Sequence, residues 1–446
     1  MVLSPSQPQG VDKETFRQII LDHWGGFKEK NPTYNREQYE EVVQKMLGCG
    51  KEEGGYTEYI CLRCGQDLRR VCFTCKSSFC LSCAKVYVDD FVDQVSRVLH
   101  PGVTYRHIIL TIPGQLRIYF YRDRFNKSLL SALMRCGYEC LEDVVSQGKG
   151  HDIKIGAIVV IQTHGRSGHY NPHLHIIMTS GGIEEKAGKW AGLEYIPYEM
   201  IHKKWQYHLF KMMKEMIHTQ EMGDLIDELW KRYPRGIVAN VKRGEVPERC
   251  RGLAKYLAKY LASPPISVRR IVRYDGKTVT YWYKDHETKR KKVETVDVYT
   301  FFASLNASTA IGRMVQHILP KGFQRVRYYG LRATKAFGKW REVIKEGLKR
   351  IGQLVGGAYQ VLSGKRYREC YKEVSGCDPM MCAYCGAEMD LFRIWHPKYG
   401  VIYDELENIK AGKYEVGDGN GRQGGCSVWS PSEVLQLSLF PLHAAA

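Results

Sequence analysis

The chain has 446 residues, a formal net charge of +18 at pH 7, 44% hydrophobic and 26% charged residues, and 15 cysteines. That length leaves room for several domains and a sizeable core, and the composition excludes a disordered or fibrous chain. The charge surplus calls for a polyanionic partner, nucleic acid before membrane surface, and no apolar run approaches the length of a membrane span.

Residues 1–10 are rich in Pro, Ser and Gln and carry no signal-peptide core, so a cytoplasmic location with no membrane partner is expected. There, cysteines serve as metal ligands more often than as disulfides. TFRQIILDHWGGF and REQYEEVVQKML predict two amphipathic helices between Lys13 and Met46. A cysteine-dense block follows, Cys49 to Cys83. The β-rich apolar runs YRHIILTIP (105–113), GAIVVIQTH (156–164) and HLHIIMTS (173–180) predict strands bounded by Pro and Gly. Between the first two, residues 116–145 predict one long helix. Helices resume at 199–217 and run through CRGLAKYLAKYLAS until Pro264-Pro265. VRRIVRYDGKTVTYWYKD predicts a strand–turn–strand with Asp-Gly at the turn, KKVETVDVYTFF a further strand, and 309–356 basic helices. A second cysteine set at 370–385 and a Gly-rich tail complete the chain.

Two patterns carry chemistry. His173 and His175 are two apart on an apolar strand, so both imidazoles share one face. Such a pair binds Mg²⁺, Mn²⁺ or Zn²⁺ with a third ligand, which the neighbouring strand supplies as Gln162, with His164 as the second choice. An amide oxygen favours Mg²⁺ or Mn²⁺. Tyr256 and Tyr260 are four apart on a helix and therefore lie on one face, beside Lys255 and Lys259. Taken singly, either pair is ordinary packing. Together in a basic chain they suit cutting and rejoining of single-stranded DNA: phenols attack a metal-held phosphate and Lys259 neutralises its charge.

Cys61-x-x-Cys64, Cys72-x-x-Cys75 and Cys80-x-x-Cys83 are knuckle-like pairs, and any two complete a tetrahedral Zn²⁺ site. With Cys49 there are enough thiols for two ions, and spacing leaves the pairing open. Cys370, Cys377, Cys382 and Cys385 form a second set, with CAYCG the turn of a zinc ribbon. One to three structural zinc ions follow. From Lys321 to Arg350 Lys and Arg outnumber Glu and alternate with aromatics; Lys321, Arg325, Arg327, Tyr328 and Tyr329 are the candidate DNA contacts there, with Lys255 beside the tyrosines.

RHIILTIP, QTHGRSGHYNPHLHIIMTSGG, the Tyr256/Tyr260 doublet and VQHILPKGFQRVRYYGLRA, with the upstream cysteines, resemble the two-tyrosine HUH transposases of the "insertion sequence ninety-one" type. These are rolling-circle relatives of Helitron and of plasmid replication initiators. The resemblance covers roughly residues 15–345 and departs from the family at SSFCLSC, which lacks the usual flanking basic residue and proline. It implies rolling-circle transposition through 5′-phosphotyrosine intermediates on single-stranded, hairpin-containing transposon ends and target DNA. The expected fold is α+β: an HUH-endonuclease domain with a central antiparallel sheet and flanking helices, an N-terminal zinc-binding module and a C-terminal cysteine cluster. The expected segments are 1–46 (helical), 47–95 (zinc-binding), 96–265 (nuclease with the tyrosine helix), 266–360 (hairpin and basic DNA-binding helices) and 361–446 (zinc-ribbon-like segment and tail). The alternatives are a replication initiator or relaxase of the same chemistry, and a non-catalytic zinc-finger DNA-binding protein.

Overall fold

The computed structural model describes residues 13–77, 79–81, 83, 92, 95, 99, 103–150, 152–184, 186–193, 198–241, 270–285, 288–298, 309–333, 340–341, 343–344, 346, 368, 372 and 378–411. Lys255, Tyr256, Lys259, Tyr260, Cys370 and Cys377 lie outside them. Two helices open the described chain, α1 (Lys13–Lys30) and α2 (Glu37–Leu47), followed by strands β1 (Tyr56–Ile60) and β2 (Leu68–Cys72). Next come β3 (Tyr105–Thr111), helices α3 (Arg117–Arg122) and α4 (Ser128–Lys149), and the long strands β4 (Ile153–His164) and β5 (Tyr170–Glu184). The order continues with β6 (Lys189–Gly192), α5 (Tyr198–Met216), α6 (Gln220–Arg232) and β7 (Ala239–Val241). Then follow β8 (Ile271–Tyr274), β9 (Thr278–Lys284), β10 (Lys291–Asp297), α7 (Ala310–Val315), β11 (Val326–Gly330), β12 (Asp390–His396), β13 (Gly400–Asp404) and α8 (Glu405–Lys410). The chain divides into two compact units, residues 1–44 with 76–364 and residues 45–75 with 365–446.

The larger unit is α+β, built on an antiparallel sheet of order β11-β4-β5-β3-β7, with β6 on β5. The β-branched run IKIGAIVVI makes β4 a strand buried on both faces, so its sequence reads as a continuous apolar stretch and not an alternation. Val159 and Ile161 of β4, Ile108 and Leu110 of β3, and Leu174 and Ile176 of β5 share one core with α4. Ile158, Val160 and Ile177 point to the opposite face, where Leu99 and Leu331 pack. Helix α4 carries its apolar residues at three- and four-residue steps, among them Leu130, Leu133, Met134, Leu141 and Val144. At Gly137 of that helix there is no room for a methyl group, because Leu174 fills the space. This close approach turns Leu174 toward α4 and sends His173 and His175 to the other face.

The single helix predicted over 116–145 is two helices. Asp123 interrupts it: its carboxylate accepts the Leu129 N–H at 3.0 Å, the Ser128 hydroxyl at 3.3 Å and the Asn126 amide at 2.8 Å. A carboxylate at that place competes with the backbone for N–H donors and restarts the helix at Ser128. The basic helices predicted over 309–356 also give way in part. α7 is helical, but Val326–Gly330 is the edge strand β11, with Tyr328 opposite Ile158 and Gly330 opposite Gly156. The β-forming run Val-Arg-Tyr-Tyr and an available sheet edge outweigh its charge. The predicted Asp-Gly hairpin is present as β8 and β9, with β10 added on β9. The Asp275 carboxylate closes the turn by accepting the N–H groups of Lys277 at 3.0 Å and Thr278 at 2.7 Å.

The smaller unit is a four-stranded sheet of order β13-β12-β1-β2, in which β1 runs antiparallel to both β2 and β12. Residues predicted to belong to separate segments, 47–95 and 361–446, therefore share one sheet. Tyr59, Met389, Leu391 and Ile394 form its core with Cys61 and Cys382. Among the described residues, no helix is long and apolar enough to cross a membrane.

Trp205 of α5 is fully buried, and its indole N–H donates to the Thr111 carbonyl at 2.7 Å. Thr111 pairs with His173 across the sheet, so this bond holds the strand beside the histidines. Trp205→Ala is expected to lower unfolding free energy by about 3–5 kcal/mol. Trp205→Phe, which keeps most of the packing, is expected to cost about 1–3 kcal/mol by leaving the carbonyl unpaired. Urea denaturation of the two variants checks the order.

Candidate active site

Strand pairing sets Gln162 of β4 directly opposite His173 of β5, and Val160 opposite His175. Residues at even positions of β4 and odd positions of β5 thus face the same way, and Gln162, His173 and His175 converge. The His175 Nε2 and Gln162 Oε1 atoms are 3.2 Å apart. Two cis donors on an octahedral Mg²⁺, each about 2.0–2.1 Å from the ion, lie roughly 3 Å from one another. The His173 and His175 rings are 5.0 Å apart, centroid to centroid. His173 donates from Nδ1 to the Asn171 carbonyl at 2.7 Å, which leaves the Nε2 lone pair for a ligand role. Burial, partly offset by that carbonyl, pushes the His173 imidazole below its ordinary range, with Arg117 adding to the depression. A neutral, lone-pair-bearing ring is the form a cation needs. Two imidazoles and one amide oxygen suit Mg²⁺ or Mn²⁺ better than a thiophilic ion.

Two further histidines hold these donors. The Gln162 amide nitrogen lies 3.3 Å from His164 Nε2, so donation to that ring turns the amide oxygen toward His175. His164 is thereby placed as an orienting group, while Gln162 offers the oxygen. On the other side His107 Nε2 lies 3.0 Å from His175 Nδ1. A lone pair on His175 Nε2 requires its proton on Nδ1, and the fully buried His107 accepts it. His107 was missed in the sequence. Its only signal is an odd-numbered place in RHIILTIP, on the face shared with His173 and His175, and that depends on knowing that β3 pairs with β5. His317 backs the site from α7's end: its ring lies 5.4 Å from that of His164, and its Nδ1 is 3.0 Å from the Thr163 hydroxyl. Burial holds its pKa down at about 3, so it stays neutral. Arg117, at the start of α3, has an Nε without a hydrogen-bond partner among the described residues. Burial also lowers its guanidinium pKa, so a charge-bearing group sits poorly solvated beside His173.

The predicted DNA contacts have intramolecular partners. Lys321 pairs with Glu41 at 3.1 Å, Arg325 Nε reaches the Ile161 carbonyl at 3.4 Å, and Arg327 donates to the Ser131 hydroxyl at 2.6 Å. The Tyr329 ring stacks on Tyr138 at 5.1 Å, and burial raises the Tyr328 phenol to about 12. Among the predicted zinc ligands, Cys61, Cys64, Cys382 and Cys385 come together in the smaller unit. Cys72 ends β2 outside that group, and Cys75 N–H donates to Cys49 Sγ at 3.3 Å. Cys80 and Cys83 are buried in the larger unit, linked by a Cys83 N–H to Cys80 carbonyl bond of 3.1 Å.

Comparison with known proteins converges on one family. The family described as "Putative transposase" matches residues 156–338, which include most of β4 and all of β5 and β11. The "Transposase zinc-binding domain" of the IS91 type matches residues 19–112. Together the two matches support an IS91-type transposase. The transposase is 28% identical over 360 residues to the transposase for insertion sequence element IS801 of Pseudomonas savastanoi pv. phaseolicola, covering 78% of this chain and 82% of that protein. It is 24% identical over 353 residues to "Putative transposase y4qJ" of Sinorhizobium fredii (strain NBRC 101917 / NGR234), covering 74% of this chain and 83% of that one. No solved structure matches the transposase. The zinc-binding match and the thiol groups of the smaller unit support structural zinc in this chain.

His107 is a positioning residue for His175. His107→Ala is expected to weaken Mn²⁺ binding by about 10–100-fold. His107→Gln, whose amide oxygen still accepts a hydrogen bond, should recover part of the loss. Titration calorimetry with Mn²⁺ on the folded variants reads both.

Proposed function

We propose that this transposase nicks and rejoins single-stranded DNA through 5′-phosphotyrosine intermediates, in rolling-circle transposition, with Mg²⁺ or Mn²⁺ held by His173, His175 and Gln162. The observation that carries this is the convergence of His175 Nε2 and Gln162 Oε1, 3.2 Å apart and opposite His173, on a face turned away from the helical layer. When bound, the ion supplies Lewis acidity toward a non-bridging phosphate oxygen. Arg117, buried and incompletely paired, is the cation that would meet the phosphate from the protein side. Tyr256 or Tyr260 attacks the phosphorus through its phenolic oxygen. The phenol gives up its proton as the O–P bond forms, the P–O3′ bond breaks, the 3′-oxygen takes up one proton and leaves as a hydroxyl, and the 5′-phosphate stays esterified to the tyrosine. Attack by another 3′-hydroxyl reverses these changes and joins strands. Lys259 neutralises charge on the transferring phosphate, and Lys255 with the exposed Lys321 holds the strand, whereas Arg327 and Tyr329 are turned to α4. The substrates are hairpin-containing transposon ends and target DNA.

Labelled single-stranded DNA from the element's ends, incubated with Mn²⁺ and resolved on a denaturing protein gel, tests this. The wild type should give a covalent band that Tyr256→Phe/Tyr260→Phe abolishes, with DNA affinity kept within about tenfold. His173→Ala or His175→Ala should slow adduct formation roughly 100-fold or more, the loss of several kcal/mol of charge stabilisation. A band that survives in the double tyrosine variant would remove these residues as nucleophiles.

A further inference from the structure

The smaller unit contains two loops of the same design, far apart in the sequence. Cys61-Leu-Arg-Cys64-Gly65 leaves the end of β1, and Cys382-Ala-Tyr-Cys385-Gly386 precedes β12. In each, the glycine closes the turn: Gly65 N–H donates to the Cys61 carbonyl at 2.9 Å and Gly386 N–H to the Cys382 carbonyl at 3.1 Å. Both glycines have positive φ, 67° and 68°, a conformation that costs a side-chain-bearing residue energy and tightens the turn so that both thiols point inward. The first cysteine of each loop is pinned at its own N–H, Cys61 by the Asp67 carbonyl at 3.0 Å and Cys382 by the Ala387 carbonyl at 2.8 Å.

The two loops face each other. Cys61 and Cys385 sulfurs are 3.5 Å apart, Cys64 and Cys382 sulfurs 3.6 Å, and Cys61 and Cys64 sulfurs 3.6 Å. A disulfide would hold sulfurs at about 2.05 Å. Four sulfurs at the vertices of a tetrahedron around Zn²⁺, each about 2.3 Å from the ion, are separated by roughly 3.8 Å. The observed spacing is that of a closed, four-thiolate structural site. Further contacts clasp the loops: the Asp67 carboxylate accepts the Ala383 N–H at 2.8 Å and Arg69 at 2.9 Å, and Arg69 also reaches the Pro379 carbonyl at 2.9 Å. Cys382 Sγ accepts the Tyr384 N–H at 3.4 Å, the kind of bond that offsets thiolate charge.

We infer that Cys61, Cys64, Cys382 and Cys385 bind one structural Zn²⁺, so that the N-terminal zinc-binding region is completed by the C-terminal part of the chain. The zinc-binding match ends at residue 112 and the transposase match at residue 338, and neither reaches the second loop. The site therefore differs from both sequence-based pairings, in which Cys61 and Cys64 join other cysteines of the 49–83 block and Cys382 and Cys385 join Cys370 and Cys377. It stands apart from the strand-transfer chemistry proposed above. One consequence is that the site cannot close until the second loop has been synthesised.

Metal analysis of the full-length protein distinguishes one shared site from two separate ones. Cys61→Ser/Cys64→Ser and Cys382→Ser/Cys385→Ser, purified and dialysed against a mild chelator, should each hold one zinc fewer than the wild type. The quadruple variant should lose that same single ion and no more. Loss of two ions in the quadruple variant, or full zinc retention in Cys382→Ser/Cys385→Ser, would overturn the inference. If a variant does not fold, the wild type is titrated with chelator and its thiols are alkylated and read by mass spectrometry. The four cysteines should become reactive over the same step of zinc removal, and exposure of the two pairs in different steps would overturn it equally.

Discussion

The antiparallel pairing of β4 with β5 decides which side chains can share an ion, and most of the larger unit is organised to keep that pairing in register. A slip of one residue would turn His173 and His175 into the core and bring Leu174 to the outer face. Leu174 is completely buried against α4 at Gly137, and exposing a side chain of that size costs about 1.5–3 kcal/mol before any imidazole is desolvated in its place. Trp205 fixes the neighbouring strand through Thr111, and β11 closes the other side of β4. The helical layer thus acts on the site through the strands it packs against.

Within that frame the donors are held by two further imidazoles. His107 and His164 fix the orientations of His175 and Gln162 through imidazole and amide hydrogen bonds. In the proposed site, two imidazoles and an amide would bring no negative charge of their own to a divalent ion, which would strengthen its pull on a phosphodiester. Arg117 adds a poorly solvated positive charge that is felt at His173. With the ion in place, a site of this kind would attract a phosphate, in keeping with a chain carrying a net charge of +18.

Much of the sheet was legible in the sequence, because apolar runs bounded by Pro and Gly mark strands whatever they pair with. The predicted 105–113, 156–164 and 173–180 correspond to β3, β4 and β5, although β5 extends from Tyr170 to Glu184. The placement of His173 and His175 on one face followed from strand period alone. What stayed hidden depends on contacts distant in sequence or on one competing side chain. His107 has meaning only once β3 lies beside β5. Asp123 divides a strongly periodic helix through local hydrogen bonds that periodicity does not register. Arg325 and Arg327 look like a cationic helix face until β11 is seen to add an edge to β4. Cysteine spacing identified the knuckles but was blind to a partner loop 318 residues along the chain from Cys64.

The most direct test of the central claim is the position of a single ion. Crystals of the transposase soaked in Mn²⁺ and measured for anomalous scattering should show one peak on the outer face of the β4–β5 pair. It should lie about 2.0–2.3 Å from one nitrogen each of His173 and His175 and from the amide oxygen of Gln162. A peak bonded to His164 with Gln162 turned away, or no peak beside these strands when Mn²⁺ supports cleavage in solution, would contradict the account.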